Sequence, residues 1–133
     1  MPEFFNADRD GHILTITLNR PERMNALHSP AHFELHEIFD EFENDPELWV
    51  GILTGAGDRA FSAGNDLRWQ AEGGSREKPA SGFGGITERF ERSKPMIASR
   101  HPCCSLRRLT SFLRTRRTPL MPSSSKIPKR VLP

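Results

Sequence analysis

Three histidines, two arginines beside a proline, a run of glycines after an apolar stretch and a strongly basic terminus are the features of this chain that bear on chemistry. His28, His32 and His36 recur every four residues, so on a helix they share one face and could offer metal ligands. Zinc needs three or four placed ligands, His28 falls ahead of the helix start, and no second ligand set accompanies them. They read as histidines of a polar helix face, and no metal site is assigned. Gly55-Ala56-Gly57-Asp58-Arg59-Ala60 loosely matches a dinucleotide fingerprint, with Glu77 near the right distance. The following Phe61-Ser62-Ala63-Gly64-Asn65-Asp66 makes poor opening turns for the helix that fingerprint must start, so the match reads as chance. Arg20 and Arg23 suit a phosphate chemically, but loop arginines are ordinarily solvated, and on the residues alone that reading is favoured. Arg107-Arg108, Arg114 to Arg117 and Lys126-Ile127-Pro128-Lys129-Arg130 could neutralise the phosphates of a nucleic acid or another polyanion. Aromatic interleaving is limited to Phe112, so nucleic acid is not the favoured partner.

The elements that must position these residues follow from periodicity. His12 to Leu18 predicts a half-buried strand, Leu14, Ile16 and Leu18 alternating with threonines. Arg9-Asp10-Gly11 predicts a turn before it, with Glu3 to Asn6 as hairpin partner. Asn19-Arg20-Pro21 ends the strand, since proline removes a ladder donor. Ser29-Pro30 predicts a helix start, the hydroxyl as N-cap and the proline at the first helical site. Ala31, Leu35, Ile38, Phe39 and Phe42 then form one apolar stripe, with Glu34, Glu37, Asp40 and Glu41 opposite. Leu48 to Thr54 predicts a strand apolar on both faces, as in a covered parallel sheet. Leu67 to Ala71 predicts one or two helical turns, Glu72 to Phe83 a mobile loop, and Ile86 to Arg92 a short helix. Pro95 to Ala98 begins another extended segment.

Charge divides the chain near Ser99. Residues 99–133 hold nine Lys and Arg and no Asp, Glu or Gly, leaving ten bases against 17 acids in residues 1–98. Five prolines and six serines there predict a disordered basic tail. An apolar fraction of 35% limits the core to one modest domain. No stretch approaches ~18 apolar residues, and Met1-Pro2-Glu3-Phe4-Phe5 lacks the regions of a signal peptide, so a cytoplasmic protein without a membrane partner is expected. Cys103 and Cys104 are adjacent and supply no disulfide framework.

The order strand, Asn19-Arg20-Pro21, Asn25-Ala26-Leu27, amphipathic helix, Ile52-Leu53-Thr54-Gly55, then Phe61-Ser62-Ala63-Gly64-Asn65-Asp66-Leu67, resembles the enoyl-CoA hydratase/isomerase family, or crotonase superfamily, over residues 3–98. The resemblance implies an acyl-CoA thioester as ligand, coenzyme A being part of the substrate and no other cofactor being needed. It implies a thioester carbonyl that becomes enolate-like, its oxygen held by two backbone N–H groups. The first would be the N–H of Asn65, with Gly64 letting the backbone approach the ligand and a helix start at Asp66 adding a positive end. Arg23 and Met24 would line the CoA path, Ala63 would offer backbone groups to the adenine, and Asp66 belongs to the same cofactor-binding set.

The expected architecture is α/β: an incomplete crotonase-like β-β-α spiral over 1–98, followed by an unrelated disordered tail over 99–133. The family's second oxyanion donor and acid–base carboxylates lie downstream, where this chain has Ser99-Arg100-His101-Pro102-Cys103-Cys104 and no Asp, Glu or Gly. The expectation is therefore a truncated, inactive enoyl-CoA hydratase/isomerase-like protein, its tail translated out of frame. An incomplete spiral leaves strand edges open, so a family trimer or hexamer is not expected. The second reading is a non-enzymatic protein binding a polyanion through its basic tail.

Overall fold

A computed structural model of the chain describes residues 3–99. The tail expected to be disordered, and with it the polyanion reading, lies outside these residues. The fold is α/β: strands β1 (Phe5–Asp10), β2 (Ile13–Leu18), β3 (Val50–Gly55) and β4 (Met96–Ser99) form one sheet in the order β1-β2-β3-β4. The hairpin β1–β2 is antiparallel, with Phe5 opposite Leu18, whereas β2–β3 and β3–β4 are parallel. Parallel neighbours need a long crossover, and α1 (Ser29–Asn44) supplies the first of them.

Alternation along β2 comes out as read: Leu14, Ile16 and Leu18 are buried, and the residues between them only half so. Their face meets the α1 stripe, in which Ala31, Leu35, Ile38, Phe39 and Phe42 are all buried together with Phe5. A large apolar side chain sealed in this way contributes about 1.5–3 kcal/mol, so this single helix-on-sheet contact dominates the core. The end of α1 is tied to the entry of β4 by Lys94. Its ammonium donates to the carbonyls of Phe42 and Asp45 and lies 5.2 Å from the Phe42 ring centroid. A cation on the last carbonyls suits the negative end of the helix.

Four expectations change. The turn before β2 is placed later than read, because β1 continues through Arg9 and Asp10 and the chain reverses over Gly11, at φ +58°, and His12. The N-cap of α1 is His28 rather than Ser29, with no side-chain cap; Pro30 still sits in the first turn. Leu48 and Trp49 fall ahead of β3, and Trp49 is 59% exposed, stacked on His12 at 3.7 Å. Ile86–Arg92 is not a helix. A single 3-10 turn at Phe83–Gly85 precedes it, where glycines at positive φ suit a turn better than a helix. Ser99 pairs with Thr54, so β4 runs one residue past the compositional break. No helix among the described residues is long and apolar enough to cross a membrane.

Candidate active site

The C-terminal ends of β2 and β3 open into two loops, residues 19–28 and 56–66, and Asn25 joins them. It is 1% exposed and holds a positive φ of 54°, a conformation asparagine tolerates better than most residues. Its Nδ2 donates to the carbonyls of Ala56 at 2.9 Å and Ala60 at 2.8 Å, while Oδ1 accepts from the Arg20 N–H at 3.1 Å. Its backbone carbonyl accepts from Ser62 Oγ at 2.8 Å. Gly55 completes the junction, since a Cβ there would collide with the Phe61 carbonyl.

This junction aims one amide. Leu27 and Asn65 form an isolated parallel bridge in which the Leu27 N–H donates to Gly64 at 2.7 Å and its carbonyl accepts from Asp66 at 2.8 Å. In a parallel bridge the flanking residue takes both bonds, so the N–H of Asn65 itself turns away from Leu27. Among the described residues no acceptor engages it. Gly64, at φ +83°, makes the bend and has nothing within 4 Å of where a Cβ would stand. A bare backbone therefore leads into a free, fixed donor.

Arg20 is not the solvated loop charge that its residue type suggests. Its side chain is 14% exposed, and it donates to the Ala26 carbonyl at 2.6 Å, to His28 Nδ1 at 3.2 Å and to the Asp66 carboxylate at 3.1 Å. Asp66 is 5% exposed and also accepts the Trp69 N–H at 3.0 Å, capping the five-residue helix α2 (Leu67–Ala71). Burial pushes its carboxyl up, but the Trp69 N–H and Arg20 outweigh burial and hold it below the usual 3.8. The positive end expected from that helix is thus taken up by Asp66 itself.

His28 and His32 are likewise buried, at 5% and 1% exposure, which overturns the polar-face reading; only His36 is half-exposed. The Gly84 N–H donates to His32 Nδ1 at 3.0 Å, which places the ring proton on Nε2. Burial lowers the His32 pKa to about 4, with Lys78 and His28 pushing the same way and the Asn65 amide alone opposing. Asn65 stands beside the ring short of hydrogen-bond geometry, so Nε2 is buried without a partner among the described residues. Such an orphaned donor costs about 1–3 kcal/mol.

A pH dependence follows. The folded pKa of His32 lies below its ordinary 6.5, so the neutral ring stabilises the fold fully above 6.5 and loses that contribution as pH falls toward 4. Stability should drop by about 2 kcal/mol between pH 7.5 and pH 5 from this ring alone, measured as the shift in urea unfolding. His28, lowered first by burial and then by Arg20, acts in the same direction. Asp66 adds a later loss, below 3.8, as its carboxylate is protonated. Replacing His32 with leucine should flatten the upper part of that slope.

A model of the enoyl-CoA hydratase/isomerase family matches residues 8–98. The chain belongs to that family. It is 46% identical over 101 residues to the carnitinyl-CoA dehydratase of Escherichia coli strain K12, covering 74% of this chain and 38% of the relative. A carnitinyl-CoA hydratase from Mycobacterium avium superposes with a TM-score of 0.67 at 34% identity, over 71% of this chain and 37% of the other. An enoyl-CoA hydratase from Mycobacterium tuberculosis H37Rv gives 0.64 at 36% identity, over 74% and 37%. The chain thus spans about 38% of the length of the curated relatives it matches.

The residues the family resemblance singled out are placed as follows. Asn65 and Gly64 sit at the bend described above. Met24, at φ +51° and 43% exposed, lies against Ala63, whose N–H donates to the Met24 carbonyl at 2.9 Å. Arg23 is beside them, half-buried, with Nη1 enclosed and unpartnered among the described residues. Arg23, Met24 and Ala63 share one rim, whereas the Asp66 carboxylate is turned inward to Arg20. Reasoning from residue types gave Asn25 no role beyond its motif and placed His32 on a polar face, whereas both are buried. For Asn25 the signal was present, an asparagine directly after a proline turn, where a left-handed residue is often needed.

Proposed function

We propose that residues 3–99 form the thioester-oxygen side of an acyl-CoA site of the enoyl-CoA hydratase type, with the Asn65 N–H as its first oxyanion donor. One observation carries this reading: the Asn65 amide has no acceptor among the described residues, is rigidly bridged through both neighbours, and is reached over a glycine with no side chain. A donor fixed in advance stabilises developing negative charge without reorganising when it appears. The carbonyl oxygen of the thioester would sit on that amide. The CoA moiety, part of the substrate, would run along the rim of Met24 and Ala63, with Arg23 as the cation nearest its phosphates.

Proton transfer needs a positioned acid or base. Asp66, the carboxylate adjoining Asn65, is committed to Arg20 and Trp69, and residues 99–133 contain no Asp or Glu. The 133-residue chain should therefore bind acyl-CoA without turning it over. Butyryl-CoA should raise the melting temperature more than CoA does, while crotonyl-CoA should lose no conjugated-thioester absorbance beyond buffer. Asn65→Ala, which keeps the backbone donor, should retain binding. Asn65→Pro, which removes the donor, should weaken it roughly tenfold. Equal stabilisation by CoA and butyryl-CoA would remove the thioester from the reading, and measurable hydration would overturn the expected inactivity.

A further inference from the structure

Beside the Asn65 amide is a crevice that the proposed chemistry leaves unused. The rings of His28 and His32, the Ser29 residue and the Asn65 residue line one side, and Trp69 and residues 75–78 close the other. Both rings accept at Nδ1, His28 from Arg20 and His32 from Gly84, so in their neutral forms both carry the proton on Nε2. Fixed tautomers make both of them donors. Nε2 of His32 is fully buried with no partner among the described residues, in a side chain 1% exposed. A polar group is seldom left in that state, because its desolvation is not repaid.

The charge around the crevice has one sign in excess. Arg76 and Lys78 contribute two cations to its wall, against the single carboxylate of Glu77. Lys78 is near enough to His32 to disfavour a positive ring. Donors and cations with few acceptors match an oxygen-bearing anion. As it stands the crevice is too narrow to admit a water molecule. Its wall is latched by the Trp69 Nε1–H donating to the Ser75 carbonyl at 3.1 Å, so a ligand must lift residues 75–78 to enter.

We propose that this crevice receives the far end of the acyl group and selects acyl chains ending in a carboxylate, the monothioesters of dicarboxylic acids. The His32 Nε2–H is its directional donor and Lys78 its counter-charge. The inference rests on the reading of Asn65 as the thioester-oxygen donor and adds the substrate class.

Calorimetry on the full chain with succinyl-CoA and butyryl-CoA, equal in carbon number, tests it. Succinyl-CoA should bind roughly tenfold more tightly, as expected for one charge-assisted hydrogen bond. His32→Leu should bring the ratio of the two affinities to about one, and His32→Gln, whose amide can present an N–H, should keep part of it. Lys78→Ala, an exposed position that asks nothing of the core, should lower the ratio roughly threefold, and it carries the mutational test if His32→Leu fails to fold. Equal affinity for the two thioesters in the unaltered chain, or a ratio unchanged in Lys78→Ala and His32→Gln together, would overturn the assignment. If neither thioester binds, it is the underlying Asn65 reading that fails.

Discussion

Arg20→Met should destabilise the fold by roughly 3–5 kcal/mol at neutral pH, measured as a shift in the urea midpoint. The loss comes less from the arginine than from what it leaves behind. Asp66 is 5% exposed, and without the guanidinium its carboxylate would be a buried charge held only by the Trp69 N–H. The Ala26 carbonyl and His28 Nδ1 would lose their donor as well. Adding Asp66→Asn should recover part of the loss, because it removes the charge while leaving an oxygen to cap α2. The pH dependence gives an independent check. In the unaltered chain Asp66 is held below 3.8 and its contribution fades as pH falls through that range. Removing Arg20 raises that pKa, so the penalty of Arg20→Met should be smaller at pH 4 than at pH 7. An equal penalty at both would mean that the ion pair is not what stabilises this corner.

The second large effect belongs to Asn25. Alanine there forfeits three hydrogen bonds made by one side chain, to Ala56, Ala60 and Arg20, and must hold φ at +54° without the tolerance of asparagine. At about 1 kcal/mol for each bond, with a further increment for strain, the expected cost is roughly 3–4 kcal/mol. Asn25→Asp should be worse, since a carboxylate would face the Ala56 and Ala60 carbonyls where a donor stood. Asn25 supports the loop bearing Asn65 through Ser62, so acyl-CoA binding should weaken in either variant even in conditions where the chain remains folded. A folded Asn25→Ala protein with undiminished acyl-CoA binding would separate this junction from the site.

What the residues disclosed, and what they concealed, divides by distance along the chain. The β2 alternation and the α1 stripe were legible because each is a periodicity within one element, and burial of one face requires that spacing whatever covers it. The Ser29 cap failed at the boundary, where a shift of one residue moves the capping position without disturbing the stripe. Ile86–Arg92 failed because a few apolar residues at plausible spacing cannot form a helix directly after glycines at positive φ. The family was legible from the order of short motifs.

The amino-acid sequence by itself determined the α/β class, the core helix and the position of the Gly64–Asn65 bend, all of them properties of neighbours in the chain. Tertiary structure alone decided which polar groups are buried and what satisfies them. Arg20 meets Asp66 from 46 residues away, Asn25 reaches Ala60 across 35, and Gly84 sets the His32 tautomer across 52. An arginine stays in water, and a polar histidine ring usually does, unless a partner is at hand inside, because the cost of burying either depends on whether that partner is there. Only the folded chain brings such partners together.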